Sequence, residues 1–110
     1  MKLKKVTALV RIKMLRNLKT ELDAIGVPHV TIDYVDGFEN PPRLLEMPEL
    51  ITHARVEVLA EEARVKDTVD CISKNAFAGT YDDGVITVSP IDDVYKINSR
   101  GKPFSYQAIK

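Results

Sequence analysis

The chain has 110 residues, of which 45% are hydrophobic and 29% are charged, the balance of a soluble globular protein rather than a disordered or membrane-embedded one. Sixteen basic and sixteen acidic residues cancel, which argues against a nucleic-acid partner or direct binding to anionic lipid. The length predicts one domain over residues 1–110, and the lack of a bilayer-length or signal-like apolar run predicts a cytoplasmic protein that meets a membrane only through a partner.

The first half of the sequence predicts a strand, a helix and a second strand. Residues 3–12 alternate between apolar and polar, the period of a strand with one face on a core. Apolar residues then recur at spacings of three and four, at Leu15, Leu18, Leu22 and Ile25. That spacing predicts a helix, which Gly26 ends because glycine readily adopts the left-handed conformation. Alternation over 30–34 predicts the second strand, which runs out at Asp36 and Gly37.

The second half repeats this order. Residues 54–60 alternate as a third strand, and a second helix follows with Glu61 and Glu62 at its N-terminal end. Its apolar face consists of Val65, Val69, Ile72 and Ala76. Residues 85–88 predict a fourth strand that stops at Pro90, and 93–97 predict a short fifth one.

This order predicts an α+β fold of the ferredoxin-like βαββαβ type, with an antiparallel sheet, both helices on one face and a short C-terminal strand. The other sheet face carries Leu9, Val35 and Leu59, which fall on the phase opposite the core positions. We therefore expect that face to pack against sister subunits of a homo-oligomer. The first twenty residues hold seven positive and no negative charges, which fits either a solvated face or a basic patch.

The stretch AGTYDDGVITV, residues 78–88, places two glycines and two aspartates before the fourth strand. Three interpretations are open: an anion-binding loop, a plain turn, and a divalent-cation site in which Asp82 and Asp83 meet Asp92 and Asp93. A small-molecule enzyme is the further alternative, since His53 and Glu57 share one face of the third strand. No nucleophile or catalytic motif accompanies them, so we predict no catalytic residues and no enzyme. The aspartate spacing matches no recognised cation-binding loop and the two histidines, His29 and His53, are isolated in the sequence, so we predict no metal ligands.

The order of elements and five segments resemble the PII family of nitrogen-regulatory signalling proteins. The segments are KKVTALVRIKML, VTIDYVDGF, HARVEVLAEE, AGTYDDGVITVSP and IDDVYKI. The resemblance implies a homotrimer that binds an adenine nucleotide, ATP, ADP or AMP, in clefts between subunits. It also implies contact with a transporter or metabolic enzyme whose activity then changes. Whether magnesium accompanies the nucleotide stays open.

The resemblance assigns ligand-binding roles residue by residue. The residues assigned such roles are Thr31, Gly37, Phe38, His53, Glu57, Gly79, Thr80, Asp83, Gly84, Lys96 and Arg100. Of these, His53 stands where the family has a lysine and Lys96 where it has an arginine, while Arg100 lies near Asn98, where the family's second arginine falls. The loop departs from the family pattern Thr-Gly-x-x-Gly-Asp-Gly-Lys at Ala78, Asp82 and Val85. Val85 stands in place of a lysine, and Asp82 adds a negative charge. We therefore expect the loop to bind ATP weakly, or to bind a ligand smaller than ATP.

The segment between the second and third strands departs further from the family. It is shorter, and the family's glutamine, which helps to hold 2-oxoglutarate and magnesium, would fall near Pro41, so we do not predict 2-oxoglutarate sensing. Asn40 is placed to cap a short helix that carries Leu44, Leu45 and Met47. These apolar residues either bind a partner protein or pack on their own trimer.

Overall fold

Two successive strand–helix–strand units build the protein in the computed structural model, which describes residues 2–27, 29–39, 47, 49–80, 82–99 and 101. The elements are β1 (Leu3–Arg11), α1 (Leu15–Ala24), β2 (Thr31–Glu39), β3 (Glu49–Glu61), α2 (Val65–Ala76) and β4 (Gly84–Ile91). This order confirms the predicted α+β architecture.

The four strands form one antiparallel sheet in the order β2-β3-β1-β4, so β1 and β3 are central and β2 and β4 are edges. The register sets rows of residues across the sheet. Val6 pairs with Val58 on one side and Val88 on the other, and His53 pairs with both Arg11 and Val35. The row through His53 lies near the end of the sheet where β4 begins.

The core lies between the sheet and the two helices. It unites alternating residues of β1 and β3 with the inner faces of α1 and α2, as the periodicity predicts. Its buried members are Val6, Ala8, Val10, Leu18, Leu22, Val27, Ala54, Val56, Val58, Ile72 and Ala76. Shortening a buried leucine or isoleucine of such a core to alanine costs about 2–5 kcal/mol, so this layer fixes the end of the sheet that carries the candidate site.

Three of the four strands, β2, β3 and β4, are longer than the sequence indicates, whereas β1 ends at Arg11, one residue before the predicted end. β3 begins at Glu49 and includes Glu61, which therefore ends a strand instead of opening a helix, and a single 3-10 turn joins each of β1 and β3 to its helix. β4 continues through Pro90, which pairs with Lys4. The predicted stop at Pro90 was wrong because β4 is an edge strand, where a missing N–H is tolerated.

The predicted short C-terminal strand is reduced, in the described part of residues 93–97, to an isolated bridge at Tyr95. A 3-10 turn, Ile97–Ser99, follows it. Within the described residues, no helix has the length and apolar character needed to cross a membrane.

The sheet face opposite the helices is partly apolar, as predicted. Leu9, Val35 and Leu59 are half-buried there. Between them the guanidinium of Arg55 donates two hydrogen bonds to the Asp33 carboxylate, at 2.9 and 2.5 Å. The packing of this mixed face against a sister subunit stays a prediction.

Candidate functional site

The connection from α2 to β4 lies at the end of the sheet where β1 and β3 carry Arg11 and His53. Its described residues, Ala78, Gly79, Thr80, Asp82 and Asp83, are called the α2–β4 loop below. α2 ends in extended backbone at Phe77, and Gly79 adopts a left-handed φ of +82°. The loop therefore turns away from the helix axis before the chain returns to the sheet.

The Asp83 carboxylate collects the backbone donors of this loop. It accepts hydrogen bonds from the N–H of Gly79 at 2.8 Å and from the N–H of Ala78 at 3.1 Å. Desolvation, the largest single influence, raises the pKa of Asp83, but these bonds and that of the Thr80 hydroxyl outweigh it and hold the pKa below 3.8. The two N–H groups thus already converge on an anionic oxygen pair.

Asp82 ties the loop to the sheet. Its backbone carbonyl lies 2.8 Å from Nε2 of His53, and its carboxylate accepts a hydrogen bond from the Thr80 hydroxyl at 2.6 Å. The same carboxylate lies 3.6 Å from Nε of Arg11. The Thr80 hydrogen bond is the main cause that lowers the pKa of Asp82; desolvation opposes it, and the charge of Arg11 lowers the pKa further. Asp82 is therefore ionised at neutral pH.

Gly84 fixes where the loop rejoins the sheet. Its φ is +108°, and a Cβ added there would lie 1.7 Å from the carbonyl oxygen of Leu9. No other residue type fits this contact without a shift of β1 or β4. Gly84 is therefore needed for backbone approach, independently of any ligand.

The structure groups some of the predicted ligand residues and separates others. His53 is 5% exposed and contacts the Asp82 carbonyl, in the same loop as Thr80 and Asp83, whose side chains hydrogen-bond to each other. Thr31 and Glu57 pair directly with each other, but Glu57 lies four residues from His53 along β3, about 13 Å.

The remaining predicted residues lie outside this group. Gly37 and Phe38 lie near the end of β2, where Phe38 opposes Leu50, and Lys96 is exposed beyond Tyr95. Arg100, Leu44 and Leu45, with the predicted cap Asn40, lie outside the described residues, and Met47 is described and 81% exposed. The ligand-binding roles of all these residues stay predictions.

Two alternative interpretations lose their geometric basis. β4 separates Asp82 and Asp83 from Asp92 and Asp93 by eight residues, about 25 Å, so the two pairs do not meet. Within the described part of the chain, no group of three or more histidine, cysteine, aspartate or glutamate side chains is placed to hold a metal ion. For the enzyme interpretation, the distance of about 13 Å between His53 and Glu57 along β3 prevents them from acting as a base and its orienting acid.

Sequence reasoning missed one residue of this site. Arg11 is one of the seven positive charges in the first twenty residues, to which the sequence assigns no separate role, yet it lies directly opposite His53 and beside Asp82. Its position at the end of a strand of alternating residues was the available signal, but the register that pairs it with His53 could not be read from the sequence.

A cavity of about 380 Å³ adjoins the loop between α2 and β4. Its walls are mostly apolar, with Val69 and Phe77 on the helix side and Ile86 on β4, and Asp83 is the charged residue of its lining. Asp83 is the residue through which the loop borders this open space.

Comparisons with known proteins agree with this architecture over nearly the whole chain. Residues 3–101 match the family model described as "Nitrogen regulatory protein P-II". The "Nitrogen regulatory protein P-II 1" of Methanothermobacter thermautotrophicus is 27% identical over 104 residues, which are 88% of this chain and 90% of that protein. The "Nitrogen regulatory protein P-II" of Synechocystis sp. is 29% identical over 107 residues, 91% of this chain and 96% of that protein.

A solved structure gives the same agreement in three dimensions. The crystal structure of Arabidopsis thaliana PII bound to citrate superposes with a TM-score of 0.78 at 25% identity. The match covers 93% of this chain and 85% of the plant protein.

Proposed function

The chain belongs to the nitrogen regulatory protein P-II family, whose members are regulatory signalling proteins rather than enzymes, and we propose that it binds an adenine nucleotide in clefts between the subunits of a homotrimer. In this proposal the nucleotide orders the segments around the cleft. A cytoplasmic face of a transporter, or a metabolic enzyme, then binds with altered affinity.

The observation that carries the proposal is the convergence of the Ala78 and Gly79 N–H groups on one carboxylate. Backbone donors arranged in this way form a concave site for an anionic oxygen, and a phosphate oxygen can replace the carboxylate there. The citrate-bound Arabidopsis relative, a PII protein holding a small polyanion, supports an anionic ligand.

The placement of Thr31 and Glu57 supports a cleft between subunits. They lie on β2 and β3, whereas the α2–β4 loop adjoins the opposite edge strand, β4. Where the loop reaches β3, Asp82 contacts His53, which lies four residues, about 13 Å, along that strand from Glu57. A small nucleotide that uses both sets is more readily accommodated between two subunits than within one.

The arm formed by β2 and β3 supports the regulatory contact. Phe38 and Leu50 face each other across this arm at 75% and 62% exposure, and Met47 is 81% exposed beyond them. Large apolar side chains left in water on a protruding hairpin are typical of a protein-binding surface. A target bound there would sense the ligand through β3, which also carries His53.

Val85→Lys tests the position of the loop relative to the phosphates. Val85 is the second residue of β4, is 58% exposed and lies opposite Leu9, on the sheet face away from the helices. A lysine there should raise ATP affinity by about tenfold or more, since a hydrogen bond from a charged donor to phosphate contributes about 1.5–3 kcal/mol. Isothermal titration calorimetry with ATP, ADP and AMP measures the change.

Val88→Lys is the matched control, because Val88 is similarly exposed and pairs with Val6 on the opposite sheet face. It should leave the affinity unchanged. If neither the wild type nor Val85→Lys binds any nucleotide in calorimetry or shows a ligand-induced rise in Tm, the nucleotide proposal is wrong. Light scattering at micromolar concentration tests the trimer separately.

A further inference from the structure

Asp82 is held from three sides by its own chain. His53 Nε2 lies 2.8 Å from its carbonyl oxygen, Thr80 donates to one carboxylate oxygen, and Arg11 lies 3.6 Å from the other. The side chains of Arg11 and Asp82 are only 18% and 25% exposed. Their attraction is therefore less screened than that of a surface ion pair.

Asp82 contacts Arg11 and His53, the two polar side chains with which an incoming anion would interact. Arg11 and His53 are direct partners in the register of β1 and β3, so they present a guanidinium and an imidazole side by side at the rim of the sheet. Asp82 covers the guanidinium with its carboxylate and the imidazole with its carbonyl. A ligand anion that approaches this row meets a fixed negative charge before it meets a positive one.

We propose that Asp82 is a specificity-determining residue, an internal anion that occupies Arg11 and His53 and makes the cleft favour ligands of low negative charge over those of high charge. The proposal rests on the anionic ligand class proposed above. Among adenine nucleotides it means that a monophosphate is disfavoured least and a triphosphate most, because the repulsion from Asp82 grows with each added phosphate charge.

Asp82→Asn tests this directly, because asparagine keeps the size of the side chain and the backbone carbonyl that contacts His53 and replaces the charged carboxylate by a neutral amide. Calorimetry at fixed ionic strength would use pyrophosphate and orthophosphate as probes, followed by ATP and AMP. We expect the affinity for pyrophosphate and ATP to rise about tenfold or more and that for AMP by less than about threefold, as removal of one nearby like charge predicts. Adding Arg11→Gln to Asp82→Asn should abolish the gain.

Asp23→Asn is the matched control, since it changes the net charge equally. Asp23 is an exposed carboxylate on α1 that pairs with Lys19 at 2.6 Å. Equal affinities in the wild type and Asp82→Asn, or an equal gain in Asp23→Asn, would overturn the internal-anion proposal. Circular dichroism establishes that each variant is folded, and Asp82→Ser replaces any Asp82→Asn protein that is not.

The two proposals fail in different ways. Nucleotide binding with the same preference among phosphates in the wild type and Asp82→Asn keeps the nucleotide function and removes the role of Asp82. A gain for pyrophosphate in Asp82→Asn without any nucleotide binding keeps Asp82 as an internal anion and removes the nucleotide. A merely structural role would alter Tm but not the ratio of pyrophosphate to orthophosphate affinity.

Discussion

The two helix-to-strand connections of this protein solve the same problem with different acceptors. After α1, Gly26 at φ +82° donates its N–H to the Asp23 carbonyl, and the Val27 N–H reaches the Leu22 carbonyl at 3.1 Å. This is a Schellman motif, closed with backbone groups, and Val27 and Leu22 are both buried beneath it. After α2, the free N–H groups of Ala78 and Gly79 turn instead to a side chain, the Asp83 carboxylate.

The two connections differ in whether the hydrogen-bond acceptor can be replaced. After α1 the acceptors are backbone carbonyls of the helix itself, and after α2 the acceptor is a side chain. A backbone carbonyl of α1 cannot leave Val27 without unwinding the helix, and Arg64 from the turn before α2 donates a further hydrogen bond to the Ile25 carbonyl. A carboxylate on a loop can rotate away when another anion takes its place. The first connection therefore fixes the path of the chain, whereas the second has an acceptor that another anion can replace.

The largest effect is expected where the second connection returns to the sheet. In Gly84→Ala the new methyl group would lie 1.7 Å from the Leu9 carbonyl at a φ of +108°, so β1 and β4 must move apart. We expect a loss of about 3 kcal/mol or more in the free energy of unfolding, from backbone strain and overpacking together. Urea denaturation followed by circular dichroism measures it.

Gly37→Ala provides the control, because nothing lies within 4 Å of a Cβ added there and its φ is not in the left-handed region. It should change the free energy of unfolding by less than about 1 kcal/mol. A Gly84→Ala protein as stable as Gly37→Ala would show that β4 does not approach Leu9 as described.

The sequence predicted the elements of both halves because periodicity reports which face is buried, and core residues such as Leu18 and Ile72 lie where that pattern puts them. For the candidate site, the sequence indicated only the segment 78–88 and not the residues that this segment contacts. The contacts of Asp82 with Arg11 and His53 depend on the register of β1 and β3 and on the path of the α2–β4 loop across the end of the sheet. Strand register and loop path are set by tertiary contacts, which a local sequence pattern does not determine.

A local effect is expected from Asp83→Ala, which removes the acceptor of the second connection. The Ala78 and Gly79 amides should exchange with solvent about tenfold faster or more, because a lost hydrogen bond to a charged group opens the segment locally. The Gly26 and Val27 amides should keep their protection. Hydrogen exchange followed by NMR resolves the four amides individually.

Asp70→Ala is the control for Asp83→Ala, since Asp70 is an exposed carboxylate that pairs only with Lys66 among the contacts of the described residues. It should leave all four amides unchanged. Equal acceleration at Gly26 and Ala78 in Asp83→Ala would mean that the variant loosens the whole fold, and the contrast between the two connections would be lost.

The smallest effect is a difference in acid sensitivity between the connections. Because the folded pKa of Asp83 lies below the ordinary 3.8, its ionised form stabilises the fold fully above pH 3.8 and loses that contribution as the pH falls through the lowered value. The second connection should then lose exchange protection below about pH 3.8, while the Gly26 and Val27 amides, whose acceptors do not titrate, keep theirs until the whole protein unfolds. Protection factors at pH 6, 4 and 3, each corrected for intrinsic exchange, measure the divergence. Parallel loss at both connections would show that acid acts on the whole fold. Protection of Ala78 and Gly79 that persists at a pH where NMR shows the Asp83 carboxyl itself to be protonated would show that its ionised form does not hold these amides.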